Sequence, residues 1–293
     1  MSKSRIHIAK PAIATFFDDY PISVFRPSDI ASILAEQRIG WALAKSTGVQ
    51  AFVDFLSNHA ELAKLTFPFP YRSETRYTWG KVPLTQVLLS LKAGAYFSHQ
   101  TAANMLGLVA ETPATIYLNH EQRPQPQDPH LAQGRIDAAF ARRPRASNNI
   151  IEFGAIQICM INGMYTNQLG IISKETRYDS CDQGVLRLTG LERTLIDMTV
   201  RPVYSGGVDA VRTAFELARG TLSVQVLVDM LQKLKFVYPF HQSIGYYLER
   251  AGYTGASLDL LRRLPTEYDF YLDHQMQDTK YEKGWRLHVP ASW

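Results

Sequence analysis

Apolar positions recur at helical spacing from the start of the chain. Ile8, Ala12, Ile13, Phe16 and Phe17 fall on one stripe, which predicts a helix from Ile8 to about Tyr20, stopped by Pro21. Arg26-Pro27-Ser28-Asp29 opens a second helix, with Ser28 the expected N-cap and Ile30, Ile33, Leu34 and Trp41 facing inward. Gly40 and Gly48 punctuate the next stretch. Thr47-Gly48-Val49-Gln50 fits a capping box, with the Thr47 hydroxyl and the Gln50 amide satisfying free N–H groups at a third helix start. That helix, from about Gly48 to Asn58, puts Val49, Phe52, Val53 and Leu56 on its buried stripe. Thr47, Gln50, Ala51, Asp54 and Asn58 lie on the other face. The pattern then shortens to strands: Leu62 to Phe67, a proline-stiffened loop from Pro68 to Ser73, and Glu74 to Gly80. Helix, helix, capped helix and hairpin is the order of a winged helix-turn-helix, expected over residues 1–81.

Residues 82–293 read as a larger mixed domain. Helical stripes appear at Leu84 to Lys92, at Val211 to Ala218, at Val224 to Leu231 and at Phe240 to Ala251. Ser98 and Ser223 are the expected N-caps of two helices, Pro239 sits in the first turn of another, and Gly107, Gly220 and Gly252 are the expected stops. Strands are expected at Thr115–Leu118, Asn149–Phe153, Ala155–Ile161, Gly184–Thr189 and in the tail from Trp285 to Pro290. Glu121 to Gln133, rich in Pro and Gln, reads as an exposed loop. Without regular alternation, these elements predict an α+β fold.

Composition narrows the class. The chain has 293 residues, 46% of them hydrophobic and 20% charged, enough for two cores. It carries no apolar run of membrane-spanning length and no signal-peptide core, so no membrane association is expected. Cys159 and Cys181 show no zinc-like spacing and fit a reducing compartment, so the expected location is the cytoplasm. Of the net charge of +4, most lies in residues 1–81, where ten basic side chains stand against seven acidic ones. That excess points to phosphate contact there, though a solvated basic surface has the same signature.

Helix-turn-helix proteins place the third helix in the major groove, with base edges read by its outer face and phosphates met around it. The candidate DNA contacts are therefore Lys45, Ser46, Thr47, Gln50 and Asn58 on or before that helix, and Arg72, Ser73 and Arg76 on the hairpin. Asp54 on the same face repels phosphate. Arg142, Arg143 and Arg145 around Pro144 form a second candidate anionic contact, with a solvated loop as the commoner reading.

Enzyme signatures are missing: the chain has no phosphate-binding glycine loop, no G-x-S-x-G elbow and no H-E-x-x-H. No metal site and no cofactor is expected. Ser98-His99 suggests nucleophile and base, but neighbouring helix residues do not face one another, so a helix cap is favoured. Asp269, Asp273, Asp278 and Glu282 near Lys280 and Lys283 lack the order of a nuclease site and read as solvated charges. Arg193 and Asp197, one turn apart, read as a structural ion pair.

That last stretch also carries a resemblance. Thr189-Gly190-Leu191-Glu192-Arg193-Thr194-Leu195-Ile196-Asp197, followed by Arg201 to Val208, resembles the AbiEi family, antitoxins and autoregulators of bacterial type IV toxin–antitoxin and abortive-infection systems. Ala95 to Ala102, Tyr238 to Gly245 and the Trp285–Pro290 ending are similar to further family segments in the same order. The resemblance implies an N-terminal winged helix on inverted repeats of the operon's own promoter and a C-terminal antitoxin domain. The motif residues it marks are Glu192, Arg193, Asp197, Tyr204, Gly206 and Gly207. The implied functional partner is a nucleotidyltransferase-type toxin, without a stable complex. The modest charge of the third helix favours binding to double-stranded DNA as a pair on repeated half-sites. The alternatives are a nucleic-acid-processing or toxin-modifying enzyme in the second domain, with the winged helix as its targeting module, and a pure protein-interaction module.

Overall fold

The apolar stripes of the first three helices meet in one core. In the computed structural model, which describes residues 4–109, 111–126, 130–177 and 183–293, α1 spans Arg5–Asp18, α2 Pro27–Gln37 and α3 Val49–His59. They bury Ile13, Phe17, Ile30, Ile33, Leu34, Phe52, Val53 and Leu56 together with Trp41 and Trp79. Ile8 is 68% exposed, Val49 is 40% exposed and Ala12 is exposed as well, so three residues expected inside face out; Ala9 and Phe55 take inner positions instead. The buried stripes of α1 and α3 are thus rotated slightly from the expected ones.

The caps also differ from expectation. α2 is capped at Arg26, whose N–H donates to the Asp29 carboxylate at 2.7 Å, with Pro27 as the first helical residue. Proline needs no partner there, and Ser28 already lies inside the helix. α3 is capped by Gly48 without any side-chain bond, and the capping box at Thr47 does not form. The Gln50 amide turns along the helix to Asp54 instead, at 2.7 Å.

β1 (Val24–Phe25) pairs antiparallel with β3 (Ser73–Trp79), which pairs antiparallel with β2 (Leu62–Pro68), giving the order β1-β3-β2. The β2–β3 hairpin runs in register from Leu62↔Trp79 to Pro68↔Ser73. Trp79 stacks on Phe17 at 4.8 Å, and its indole N–H donates to Asp18 at 2.7 Å, tying the sheet to α1.

α4 (Leu84–Leu89) belongs with this part of the chain. The fold divides into two compact units: Met1–Ala93 with Glu175–Leu186, and Gly94–Lys174 with Arg187–Trp293. The first runs past residue 81 for a visible reason. The Arg76 guanidinium on β3 donates to the carbonyls of Ser90 and Leu91, and Lys92 pairs with Glu74 at 2.8 Å. The segment after the hairpin is thus laced to it.

The second unit is mixed α+β. A six-stranded sheet has the order β6-β7-β5-β4-β9-β8, made of β4 (Tyr96–Phe97), β5 (Thr115–Glu121), β6 (Ile150–Phe153), β7 (Ile156–Gly163), β8 (Ile171–Arg177) and β9 (Gln183–Thr189), with residues 175–177 of β8 and 183–186 of β9 counted in the first unit. β5 runs parallel to β7 and β4 to β9, whereas β6–β7 and β4–β5 are antiparallel. Its helices are α5 (His99–Met105), α6 (Gln133–Phe140), α7 (Leu191–Val200), α8 (Val208–Leu217), α9 (Val224–Leu234), α10 (Phe240–Arg250) and α11 (Ala256–Arg262). A small sheet closes the chain in the order β10-β12-β11, with β10 Phe270–Tyr271, β11 Thr279–Glu282 and β12 Leu287–Pro290. The hydrophobic core of this unit includes Leu195, Ile196, Phe215, Leu227, Tyr247, Phe270 and Leu287.

Strands expected at 115, 149, 155, 184 and in the tail are all present, whereas the apolar pattern does not mark α6, α11, β8, β10 or β11. Among the described residues no helix is long and apolar enough to cross a membrane. Cys181 and part of the 121–133 loop lie outside the described residues.

Candidate nucleic-acid interface

The outer face of α3 is mostly polar because its inner face uses the large apolar residues except Val49. Phe52, Val53, Phe55 and Leu56 are buried; Gln50, Ala51, Asp54, Ser57 and Asn58 are exposed. Lys45 and Ser46 are exposed just before the helix, and Thr47 is half-buried.

The turn that feeds α3 is pinned by Arg38, which the apolar spacing does not single out. One guanidinium nitrogen donates to the carbonyls of Ala44 at 2.8 Å and Thr47 at 2.9 Å. Folding the turn over a single cation fixes the direction in which α3 begins. The only signal in the sequence is an arginine at a helix end followed by a glycine-punctuated stretch, and that is too common to point to this role.

Of the hairpin arginines the structure separates two roles. Arg72, at the tip, has its side chain 80% exposed, with Glu74 3.8 Å away; Ser73 is exposed beside it. Arg76 is 4% exposed. It donates to Ser90 Oγ at 3.0 Å and to the carbonyls of Thr75, Ser90 and Leu91, beside Glu74. With its donors spent inside the unit, Arg76 is a structural residue and not a DNA contact. Strand alternation turns Tyr77 and Trp79 to the core and Arg76 to the opposite face of β3, where residues 90–92 cover it and offer carbonyls in place of phosphates.

In the second unit, the motif residues from Thr189 to Gly207 build a buried polar network. Arg193 and Asp197 form an ion pair at 2.8 Å with both side chains under a tenth exposed. Arg193 also donates to Thr166 Oγ1 and the Leu169 carbonyl. Burial opposes the charge on Arg193, but Asp197 and its other acidic neighbours outweigh it and raise the guanidinium's pKa. Glu121 accepts from the backbone N–H groups of Thr166 and Gln168, clamping the loop before β8. The Thr189 and Thr194 hydroxyls bond at 2.7 Å. Tyr204 accepts from the Ser147 N–H at 2.6 Å and meets His99 edge-on at 5.1 Å. Gly206 has φ +83, and a Cβ there would lie 3.0 Å from Ala210 and 3.2 Å from the Gln100 amide. Glu192, at the start of α7, accepts from the Ser223 N–H, and Gly207 caps α8.

The expected side-chain cap of α5 by Ser98 does not form. The Ser98 hydroxyl lies instead 2.8 Å from Nδ1 of His99, whose backbone takes the left-handed φ of +52 that brings the two adjacent side chains together. Burial depresses the His99 pKa to about 4, against the raising influence of Asp197, so the ring is neutral at pH 7. Ser98 is 0% and His99 6% exposed, so this pair is a packed contact.

The other candidates divide. Arg142, Arg143 and Arg145 are exposed in the loop between α6 and β6. Among the C-terminal acidic residues, Asp269 accepts from Tyr281 Oη at 2.7 Å and Arg286 Nε at 2.9 Å; Asp273 accepts from the His274 N–H at 2.7 Å. Burial raises the Asp273 carboxyl. These two are structural acceptors, not merely solvated charges. Among the described residues no group of three or more His, Cys, Asp and Glu is placed to hold a metal ion.

No family model and no curated protein sequence matches the chain. Its fold is similar to that in the crystal structure of the RV2827C protein from Mycobacterium tuberculosis, with a TM-score of 0.58 and 15% sequence identity, over 96% of this chain and 90% of that one. At that identity the likeness is one of fold, and it extends over both units.

Proposed function

We propose that the chain is a DNA-binding transcriptional autorepressor whose first unit is a winged helix. One observation carries the reading: α3 buries an apolar stripe, leaves Gln50, Asp54, Ser57 and Asn58 exposed on its other side, and is followed by a hairpin whose tip presents Arg72. Such a helix is suited to base edges in the major groove, with the hairpin cation on phosphate. Lys45 and Ser46 flank the reading face, and the exposed Arg142–Arg145 loop is a further anionic contact.

The second unit we assign an antitoxin role against a nucleotidyltransferase-type toxin, on the AbiEi resemblance. Support comes from the way the resembling segments assemble. His99 and Gln100 of Ala95–Ala102 meet Tyr204 and Gly206 of Arg201–Val208, Arg193 and Asp197 pair within Thr189–Asp197, and Gly245 packs on Trp285. Residues far apart in sequence thus serve one architecture.

Fluorescence anisotropy with the chain's own upstream DNA, beside scrambled DNA over a salt series, tests the first claim. Preferential binding that weakens with salt is expected. Gln50→Ala is expected to lose discrimination by roughly 5- to 100-fold, and Arg72→Ala to lose affinity on all sequences alike. Equal binding of both DNAs at every salt would remove the repressor reading and favour a protein-interaction module.

A further inference from the structure

Asp54 is the residue on α3 that a phosphate-binding face would not carry. It is exposed and lies one turn from Gln50, whose Nε2 donates to Asp54 Oδ1 at 2.7 Å. A carboxylate only accepts, so this bond settles which way the Gln50 amide points: nitrogen toward Asp54, Oε1 outward. The exposed residues between and beyond the pair (Ala51, Ser57 and Asn58) add no cation. The Gln50–Asp54 pair therefore presents acceptors, one spare N–H and the one negative charge of this face.

Resting on the DNA-binding reading, we propose that Gln50 and Asp54 act as one base-reading unit that selects amino-bearing bases in the major groove, with Asp54 accepting from cytosine N4. The donor–acceptor pattern of the groove gives the reason. Adenine N6 and cytosine N4 are the amino donors of the major groove; guanine O6 and N7 and thymine O4 are acceptors. Gln50, with Oε1 and one N–H left over, matches adenine N6 and N7. Asp54 keeps lone pairs for cytosine N4 and repels the guanine and thymine edges. Its charge also weakens attachment to any phosphate backbone, so discrimination is gained by penalising the wrong sequences more than by strengthening the right one. Residues one turn apart are about 6 Å apart along the helix axis, which spans roughly two base-pair steps, so the two contacts fall on neighbouring or next-neighbouring pairs.

The test uses the full-length protein. Duplexes enriched from a random library by the unaltered chain are measured by anisotropy against versions in which each C·G pair is replaced by T·A, with Asp54→Ala, Asp54→Asn and Gln50→Ala in parallel. One C·G pair is expected at which replacement weakens the unaltered protein at least about fivefold. Asp54→Ala should bind both versions equally there, and should bind scrambled DNA more tightly than the unaltered chain at low salt. Asp54→Asn should shift the preference at that pair toward adenine. Circular dichroism should be unchanged, since Asp54 is exposed. Sequence-selective binding by the unaltered protein that persists in Asp54→Ala overturns this assignment and leaves the repressor reading standing. If the unaltered protein enriches no sequence at all, both fall together.

Discussion

Arg72 and Arg76 lie four residues apart on one hairpin and have opposite surroundings. Arg72 stands in solvent and Arg76 is nearly sealed, with Ser90, Leu91, Thr75 and Glu74 taking its donors. Removing Arg76 leaves buried carbonyls unpaired and Glu74 with fewer cations, at a cost of about 2–4 kcal/mol. Arg72→Ala, by contrast, removes an exposed side chain whose nearest charge is 3.8 Å away, and stability should hardly change. Urea melts of the two variants are the check. A stable Arg76→Ala protein would mean that the inward bonds count for little. The buried Arg193–Asp197 pair follows the same logic, since Arg193 also donates to Thr166 and Leu169.

Elements are positioned by a few such groups. Arg38 joins the end of α2 to the start of α3, so Arg38→Ala should reduce DNA affinity without removing any contact residue. Anisotropy with an unchanged helical signal in circular dichroism would show it; unaltered affinity would mean that packing alone orients α3. In the second unit, α10 and the C-terminal strands meet at Gly245. A Cβ on that residue would overlap the Trp285 ring, and Gln242 holds the Trp285 carbonyl at 2.8 Å. The indole N–H meanwhile donates to Glu249 at 2.8 Å. Held at both ends, the ring has little freedom to retreat. Gly245→Ala should therefore destabilise by about 1–3 kcal/mol despite the better helix propensity of alanine. A rise in the melting temperature would contradict this packing.

At the level of the entire chain, the two compact units each hold a hydrophobic core, so thermal unfolding should resolve into two transitions. They should respond differently to acid. His99 and His241, both in the second unit, have pKa values pushed down by burial from 6.5 to about 4. The unfolded chain therefore takes up protons first as pH falls. Stability from this source is present above about pH 6.5 and is lost on the way to pH 4, on the order of 2 kcal/mol per histidine by pH 5. Asp273, raised by burial, acts in the opposite direction over the carboxylate range. Between pH 7.5 and pH 5.5, calorimetry should show the transition assigned to the second unit moving downward, and His99→Asn should reduce that shift. Two transitions that move together would contradict it.

Apolar periodicity is enough for the order of three helices and a hairpin, for four strands of the large sheet and for the Ser223 cap, because local spacing and backbone chemistry dictate them. It is not enough for α6 and α11, which at eight and seven residues are too short to repeat a stripe, or for β10 and β11, which are too short to show alternation. The exposed polar face of α3 is also legible in sequence, since a helix with one apolar stripe must turn the rest to water. Which cations are open to a ligand is not. Arg72 and Arg76 look alike in the sequence, and so do Arg38 and any other helix-end arginine. Only the folded chain decides between them, by bringing carbonyls fourteen residues away into reach of one guanidinium and leaving the other in water.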